Sequence, residues 1–228
     1  MAPNLNLVLL TTKASIVVQL ITGLLGAYGL TIQVPEEGRI LKGILTLEMI
    51  VQVIEFFFYI ILVYLAHIQT MTTLRYGDWL LSTPTMLFTM ATYFLYSSES
   101  PPNSIEDVWS VHKREIIAIC VANFGMLAFG LAGEFGLLSK WSAFTLGTLC
   151  FVVSFGLLFK HFAKDSRARP LFYFMTFIWS LYGVAFLQNP HTKNIAYNGP
   201  DILAKNFFGL YLAYIVWSRY SQAPKEAT

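Results

Sequence analysis

Seven long apolar runs dominate this sequence and restrict the folds that it can adopt. A helix needs about 20 consecutive apolar residues to cross a hydrocarbon layer about 30 Å thick. Because backbone groups in lipid must be hydrogen-bonded within their own segment, each run predicts a transmembrane helix. The low charged content, 12%, agrees with this class. The predicted helices are about 5–32, 41–66, 73–96, 114–136, 141–161, 170–188 and 197–218.

The connections between the runs are short, so the sequence predicts one all-α domain over residues 1–228, a seven-transmembrane-helix bundle. Basic residues concentrate in the fifth connection, KHFAKDSRARP, and in the C-terminal tail. By the positive-inside rule both segments face the cytoplasm, which places the N-terminus outside. We therefore expect a multi-pass integral protein of a cell or host membrane.

Composition excludes several classes of function. A net charge of +2 without a basic aromatic patch gives no indication of nucleic-acid binding. The four histidines are scattered near predicted helix ends without metal-ligand spacing, so we expect neither a metal site nor an enzyme.

Polar residues inside four of the predicted helices recur at helical spacing, so they lie on one face of each helix. The third helix carries Arg75, Asp78 and Ser82, followed by hydroxyl residues. The first helix carries Ser15, Gln19 and Thr22, and the second carries Glu48, Gln52, Glu55 and Tyr59. The seventh carries Asp201 and Lys205, with Asn206 directly after the lysine. The fourth, fifth and sixth helices are almost entirely apolar and aromatic.

The charged members of these stripes point to function. Hydroxyl residues alone are explained by hydrogen bonds between helices. Charged side chains in a membrane are costly, and they usually face the bundle interior or a water-filled cavity. Six of them are too many for a purely structural role. Lys205 is therefore either paired with Asp78 and Asp201 in a bare ion cluster or carries a covalent group.

Three segments resemble motifs of the microbial (type 1) rhodopsins: RYGDWLLSTP at 75–84, WSLYG at 179–183 and DILAK at 201–205. The resemblance extends over essentially the whole chain. It implies that Lys205 binds all-trans retinal covalently as a protonated Schiff base. Asp78 and Asp201 would balance that cation, and Arg75 would keep both carboxylates ionised.

The same resemblance implies a slot around the polyene. Any single aromatic residue in it would equally suit ordinary core packing. Gly183 stands where many family members have proline, and Phe144 and Phe186 replace tryptophans. We expect these departures to alter colour and sixth-helix flexibility without removing retinal binding. The implied pocket residues are Trp79, Thr83, Asn123, Met126, Phe144, Trp179, Tyr182 and Phe186.

The activity is predicted from the second helix. Its segment LEMIVQVIEFFF resembles algal channelrhodopsins, while the compact chain resembles rhodopsins of giant viruses. By that resemblance Glu48 and Asn206 form a central gate, and Glu55 lies further outward. Thr89, at the proton-donor position of outward pumps, cannot donate a proton usefully near neutral pH.

We therefore expect a light-gated cation channel whose pathway lies between the four striped helices. We also expect the protein to be a homo-oligomer in membrane lipid. The candidate cations are protons, sodium, potassium and calcium. An outward proton pump with Glu48 or Glu55 as donor is the first alternative, and a sensory rhodopsin acting through a transducer is the second. The predicted ion pathway consists of Ser15, Gln19, Glu48, Gln52, Glu55, Ser82 and Asn206.

Overall fold

The computed structural model describes residues 5–64 and 67–221, which form a bundle of membrane-length helices. A short 3₁₀ turn, Glu36–Gly38, precedes the second helix. The seventh helix, 190–220, consists of two α-helical parts joined by a π-helical turn, Ile202–Asn206. In chain order the α-helices are α1 Leu5–Thr31, α2 Arg39–Tyr64, α3 Ile68–Tyr96, α4 Ile105–Glu134, α5 Lys140–Phe162, α6 Arg169–Phe186, α7 Pro190–Asp201 and α8 Phe207–Tyr220.

Three helices begin at least five residues earlier than hydropathy predicts. The fourth begins at Ile105 rather than at 114, because Ser104 caps it by accepting a hydrogen bond from the Asp107 backbone N–H at 3.0 Å. The seventh begins at Pro190 rather than at 197, because the Asn189 side chain accepts from the Thr192 N–H. The third begins at Ile68 rather than at 73. Residue 66, the predicted end of the second helix, lies outside the described residues.

Burial divides the bundle into two halves. The main apolar core lies where α2 and α6 begin and where α3, α5 and α8 end, and it includes Leu41, Phe94, Leu158, Phe172 and Val216. Buried polar and charged residues occupy the interior beyond this core, on α1, α2, α3 and the seventh helix. Four of the described helices, α1, α2, α4 and α5, are long and apolar enough to cross a membrane. The bundle thus surrounds a polar interior with apolar outer faces.

Candidate functional site

Lys205 is the centre of the buried charges. It lies in the π turn, where the wider backbone ring interrupts the α-helical repeat, and its side chain is 1% exposed. Its Nζ is 2.6 Å from Asp78 Oδ2, 3.4 Å from Asp201 Oδ1 and 3.9 Å from Glu55 Oε1. The sequence predicted the first two partners. Glu55, which was predicted to lie further outward than Glu48, also belongs to this cluster, so three carboxylates surround one amine.

Asp201 is held by donors from three helices. It accepts hydrogen bonds from the hydroxyls of Tyr59 at 2.7 Å and Tyr182 at 2.6 Å. Trp79 Nε1 and an Arg75 terminal nitrogen each donate to it at 3.2 Å. Removing the partner of a buried charge is strongly destabilising, so these four donors stabilise a carboxylate at Asp201.

Arg75 continues this network toward the start of α7. Its Nε donates to Asn194 Oδ1 at 3.0 Å, and its terminal nitrogens donate to Asn198 Oδ1 at 2.6 Å and to the Tyr59 hydroxyl at 3.0 Å. Sequence reasoning placed Tyr59 on the second-helix stripe without a role, and it missed both asparagines. The missed signal is their spacing, since positions 194, 198, 201 and 205 form one stripe.

An apolar cavity of about 250 Å³ lies beside Lys205, which forms part of its wall. Seven of the predicted pocket residues line it: Trp79, Thr83, Met126, Phe144, Trp179, Tyr182 and Phe186. Asn123 is outside the wall but donates to Thr83 Oγ1 at 2.7 Å, so it links α3 to α4. An aromatic cavity with an amine and carboxylates at one point fits a polyene aldehyde such as retinal.

On the side of Lys205 away from the arginine network, two contacts join α2 to its neighbours. Asn206 Nδ2 donates to Glu55 Oε2 at 2.9 Å, and the Thr89 hydroxyl donates to Glu48 Oε1. The predicted Glu48–Asn206 contact is therefore wrong. Glu48 and Glu55 are seven residues apart, roughly 10 Å along the helix. Asn206, beside Lys205, is level with Glu55, so Glu48 contacts α3 instead.

The remaining predicted pathway residues are buried but sparsely bonded. Thr22 Oγ1 donates to Gln52 Oε1 at 3.4 Å, while Ser15 and Ser82 donate to backbone oxygens of their own helices. Within residues 5–64 and 67–221, several buried atoms have no hydrogen-bond partner, and they include Gln19 Oε1 and Nε2, Gln52 Nε2, Glu48 Oε2 and Asn206 Oδ1. We call Gln19, Glu48, Gln52, Asn206 and Glu55 the polar seam. Buried polar atoms of this kind are sites for water.

The seven-helix bundle, the buried lysine and the adjoining aromatic cavity define a retinal protein of the microbial type. Residues 10–219 match the family described as "Bacteriorhodopsin-like protein". The chain belongs to this family, as its motifs predicted. Members bind retinal through a lysine and act as pumps, channels or sensors rather than as enzymes. The protein is therefore a multi-pass integral membrane protein of the retinal-binding microbial rhodopsins.

Individual relatives agree with this assignment. The chain is 26% identical to the green-light absorbing proteorhodopsin of Gamma-proteobacterium EBAC31A08 over 165 residues, 64% of this chain and 60% of that protein. It is 30% identical to sensory rhodopsin III of Haloarcula marismortui over 142 residues, 58% of this chain and 55% of that protein. The match thus spans about 60% of the length of the first of these relatives.

Solved structures show the same fold. The crystal structure of viral rhodopsin OLPVRII superposes with a TM-score of 0.82 at 23% identity, covering 94% of this chain and 99% of that one. Blue light-absorbing proteorhodopsin from Med12 gives 0.73 at 19% identity, covering 92% and 97%. The chloride pump halorhodopsin gives 0.71 at 18% identity, covering 95% and 98%. At these identities the likeness concerns the fold alone.

Proposed function

We propose that the protein is a light-gated cation channel in which Lys205 holds all-trans retinal as a protonated Schiff base. The proposal rests on the position of Nζ, at the wall of the aromatic cavity and 2.6 Å from Asp78. When bound, retinal supplies light absorption and isomerisation to the 13-cis form. We also propose that the N-terminus lies outside and that the basic connection between α5 and α6 is cytoplasmic.

Asp78 is the group best placed to accept a proton from Nζ. Its Oδ2 is the nearest carboxylate oxygen, and its Oδ1 has no partner among the described residues. Asp201 differs because Arg75, Tyr59, Tyr182 and Trp79 all donate to it. Protonating Asp201 would weaken these bonds, whereas protonating Asp78 disturbs fewer, so the proton moves to Asp78.

The polar seam supports conduction, and its unpartnered buried atoms are the single observation that carries the channel proposal. Contacts to the two seam carboxylates, Asn206–Glu55 and Thr89–Glu48, close the seam at two levels. Glu55 Oε1 is 3.9 Å from Nζ, so a change of charge at Lys205 acts directly on the first contact. Once open and hydrated, a seam lined by carboxylates attracts cations and repels anions.

Voltage-clamp recording from cells supplied with all-trans retinal tests the channel proposal. A channel current reverses sign at a potential set by the ion gradients, and replacing sodium, potassium or calcium shifts that potential. A photocurrent that keeps one direction across all gradients and voltages would overturn the proposal. Lys205→Ala is the control for retinal binding, because it removes the proposed attachment point and should give neither colour nor current.

An outward proton pump is the second candidate, and the Thr89–Glu48 hydrogen bond favours it. Thr89 stands at the donor position of pumps, and this bond brings a carboxyl group to that position from α2. Glu48 is 0% exposed, as an internal donor requires. Under this alternative, Glu48→Gln slows return of the proton to Nζ and abolishes a unidirectional current. A reversing current that persists in Glu48→Gln excludes the pump.

A further inference from the structure

The cavity beside Lys205 reaches the lipid-facing surface of the bundle. Most residues of its wall are buried or half-buried, but Thr148 on α5 and Ser180 and Val184 on α6 are exposed. Val184 is 59% exposed. A cavity whose wall includes exposed residues of two neighbouring helices opens between them. We call this opening, formed by Gly147, Thr148, Ser180, Gly183 and Val184, the α5–α6 window.

Contacts above and below the window hold α5 and α6 together. Toward the end of α5, the Phe155 ring lies 5.1 Å from the Trp179 ring and the Phe159 ring lies 5.1 Å from the Phe172 ring. At the start of α5, Lys140 Nζ donates to the carbonyl oxygens of residues 187 and 188 at 2.6 and 2.9 Å. The opening is therefore limited at one end by the aromatic contacts and at the other by the Lys140 hydrogen bonds.

The two glycines of the window, Gly147 and Gly183, are not required by close packing of the helices. A Cβ at Gly183 would lie 3.4 Å from Phe144, and one at Gly147 would lie 3.5 Å from the Met126 carbonyl oxygen, both close to ordinary contact. Helix packing alone therefore does not impose glycine at either position. Their effect is to keep a passage open between the bilayer and the cavity.

At the end of the bundle where α4 ends and α7 begins, the route along the axis is blocked by buried polar contacts. Lys193 and Glu134 form an ion pair in which each side chain is 6% exposed. The Lys193 ammonium also lies 4.9 Å from the centre of the Phe186 ring, which lines the cavity. An apolar molecule entering at this end would have to separate a buried ion pair, which is strongly unfavourable.

We propose that the α5–α6 window is the portal through which retinal enters from the bilayer and reaches Lys205. This inference rests on the retinal binding proposed above. Retinal is an apolar aldehyde that partitions into hydrocarbon, so its supply lies in the membrane. At Lys205 the aldehyde carbon and Nζ form a C=N bond. The aldehyde oxygen leaves as water with two hydrogens of the ammonium group, and the third hydrogen remains on nitrogen.

Regeneration of bleached pigment tests the portal. Protein made with all-trans retinal present is reconstituted in lipid vesicles and bleached with hydroxylamine under light. The reagent is washed out, retinal is supplied in a second set of vesicles, and the return of visible absorbance is followed. Thr148→Phe narrows the window and should slow regeneration about tenfold, equivalent to about 1.4 kcal/mol in the barrier. Leu149→Phe adds a similar ring to an exposed position outside the cavity wall and should leave the rate unchanged.

A second variant changes the rate in the opposite direction. Lys140→Met removes the hydrogen bonds that hold α5 to the end of α6, so regeneration should become faster. Pigment present before bleaching shows that each variant folds around retinal. Unchanged rates in both Thr148→Phe and Lys140→Met would overturn the portal and leave the window as a seat for a lipid chain. Failure of the unmodified chain to form pigment would instead contradict retinal binding itself.

Discussion

The two sides of Lys205 are bonded very differently. On one side, Asp201 and Arg75 share a network in which Tyr59, Asn194 and Asn198 occupy the donors and acceptors. On the other side, the polar seam contains buried amide and carboxylate atoms without partners among the described residues. A saturated network resists rearrangement, whereas unpartnered groups gain free energy when water or an ion reaches them. This difference supports the proposal that the first side anchors the site and that the second side opens.

Removing the Asp201 carboxylate from the anchored side should have the largest effect on stability. Asp201→Ala leaves Arg75 buried without its ion-pair partner and removes the nearer of the two acceptors of the Tyr59 hydroxyl. The expected loss of stability is about 3–5 kcal/mol. It can be measured by unfolding in mixed detergent micelles. The matched control is Glu48→Ala, whose partner is an uncharged threonine, and a loss as large as that of Asp201→Ala would contradict the proposed asymmetry.

A methyl group at Gly209 should disturb the seam without touching the anchored side. A Cβ there would lie 2.1 Å from Gln52 Nε2, so the amide must move. Overpacking of this kind costs about 1–3 kcal/mol, and the displaced amide should also reduce the photocurrent. Gly199→Ala is the control, because a Cβ at that position meets nothing within 4 Å. Equal currents in the two variants would show that Gln52 does not lie on the conducting route.

Gln19→Leu should change stability in the opposite direction, making the protein more stable. Both amide atoms of Gln19 are buried without a partner within the described ranges, and their desolvation is unfavourable. An apolar side chain of similar size should stabilise the protein by about 1 kcal/mol while lowering cation conduction. Asn123→Leu serves as the contrast. It removes a donor to Thr83 and should destabilise the protein in the same unfolding assay.

The smallest change in stability is expected for Glu48→Gln. The Thr89 hydroxyl donates to this side chain, and an amide oxygen accepts that bond equally well. Stability should therefore change by less than about 1 kcal/mol. Ion selectivity and channel kinetics should change, since one seam carboxylate is lost. If both stay unchanged in voltage-clamp recordings, Glu48 has no part in conduction.

Local periodicity predicted the helices and the polar stripes, whereas the residues of the aromatic pocket were implied by the resemblance to microbial rhodopsins. Arg75, Asp78, Asp201 and Lys205 are recognisable from spacing and from the cost of charge in lipid. Contacts between helices depend on how far each helix is shifted along its axis, which spacing within one helix does not contain. For this reason the prediction did not include Glu55 among the partners of Lys205, and it paired Asn206 with Glu48.

Helix starts were predicted less well because capping competes with hydropathy. Asn194 was missed because the apolar run of the seventh helix starts near 197, whereas the Asn189 cap and Pro190 begin the helix earlier. A search for a capping side chain followed by proline would have included Asn194 in the stripe of Asn198 and Asp201.

The π turn at Lys205 determines how α8 is rotated about the axis of the seventh helix. One additional residue in a helical turn rotates the subsequent segment by about 100°. The face of α8 that places Gly209 against Gln52 is thus aligned by the same turn that places Lys205 among its carboxylates. Deleting a single residue from 202–206 would swing that face away from α2 while leaving α7 and the arginine network oriented as before. The position of Lys205 and the phase of the last half-helix are therefore coupled through one backbone turn.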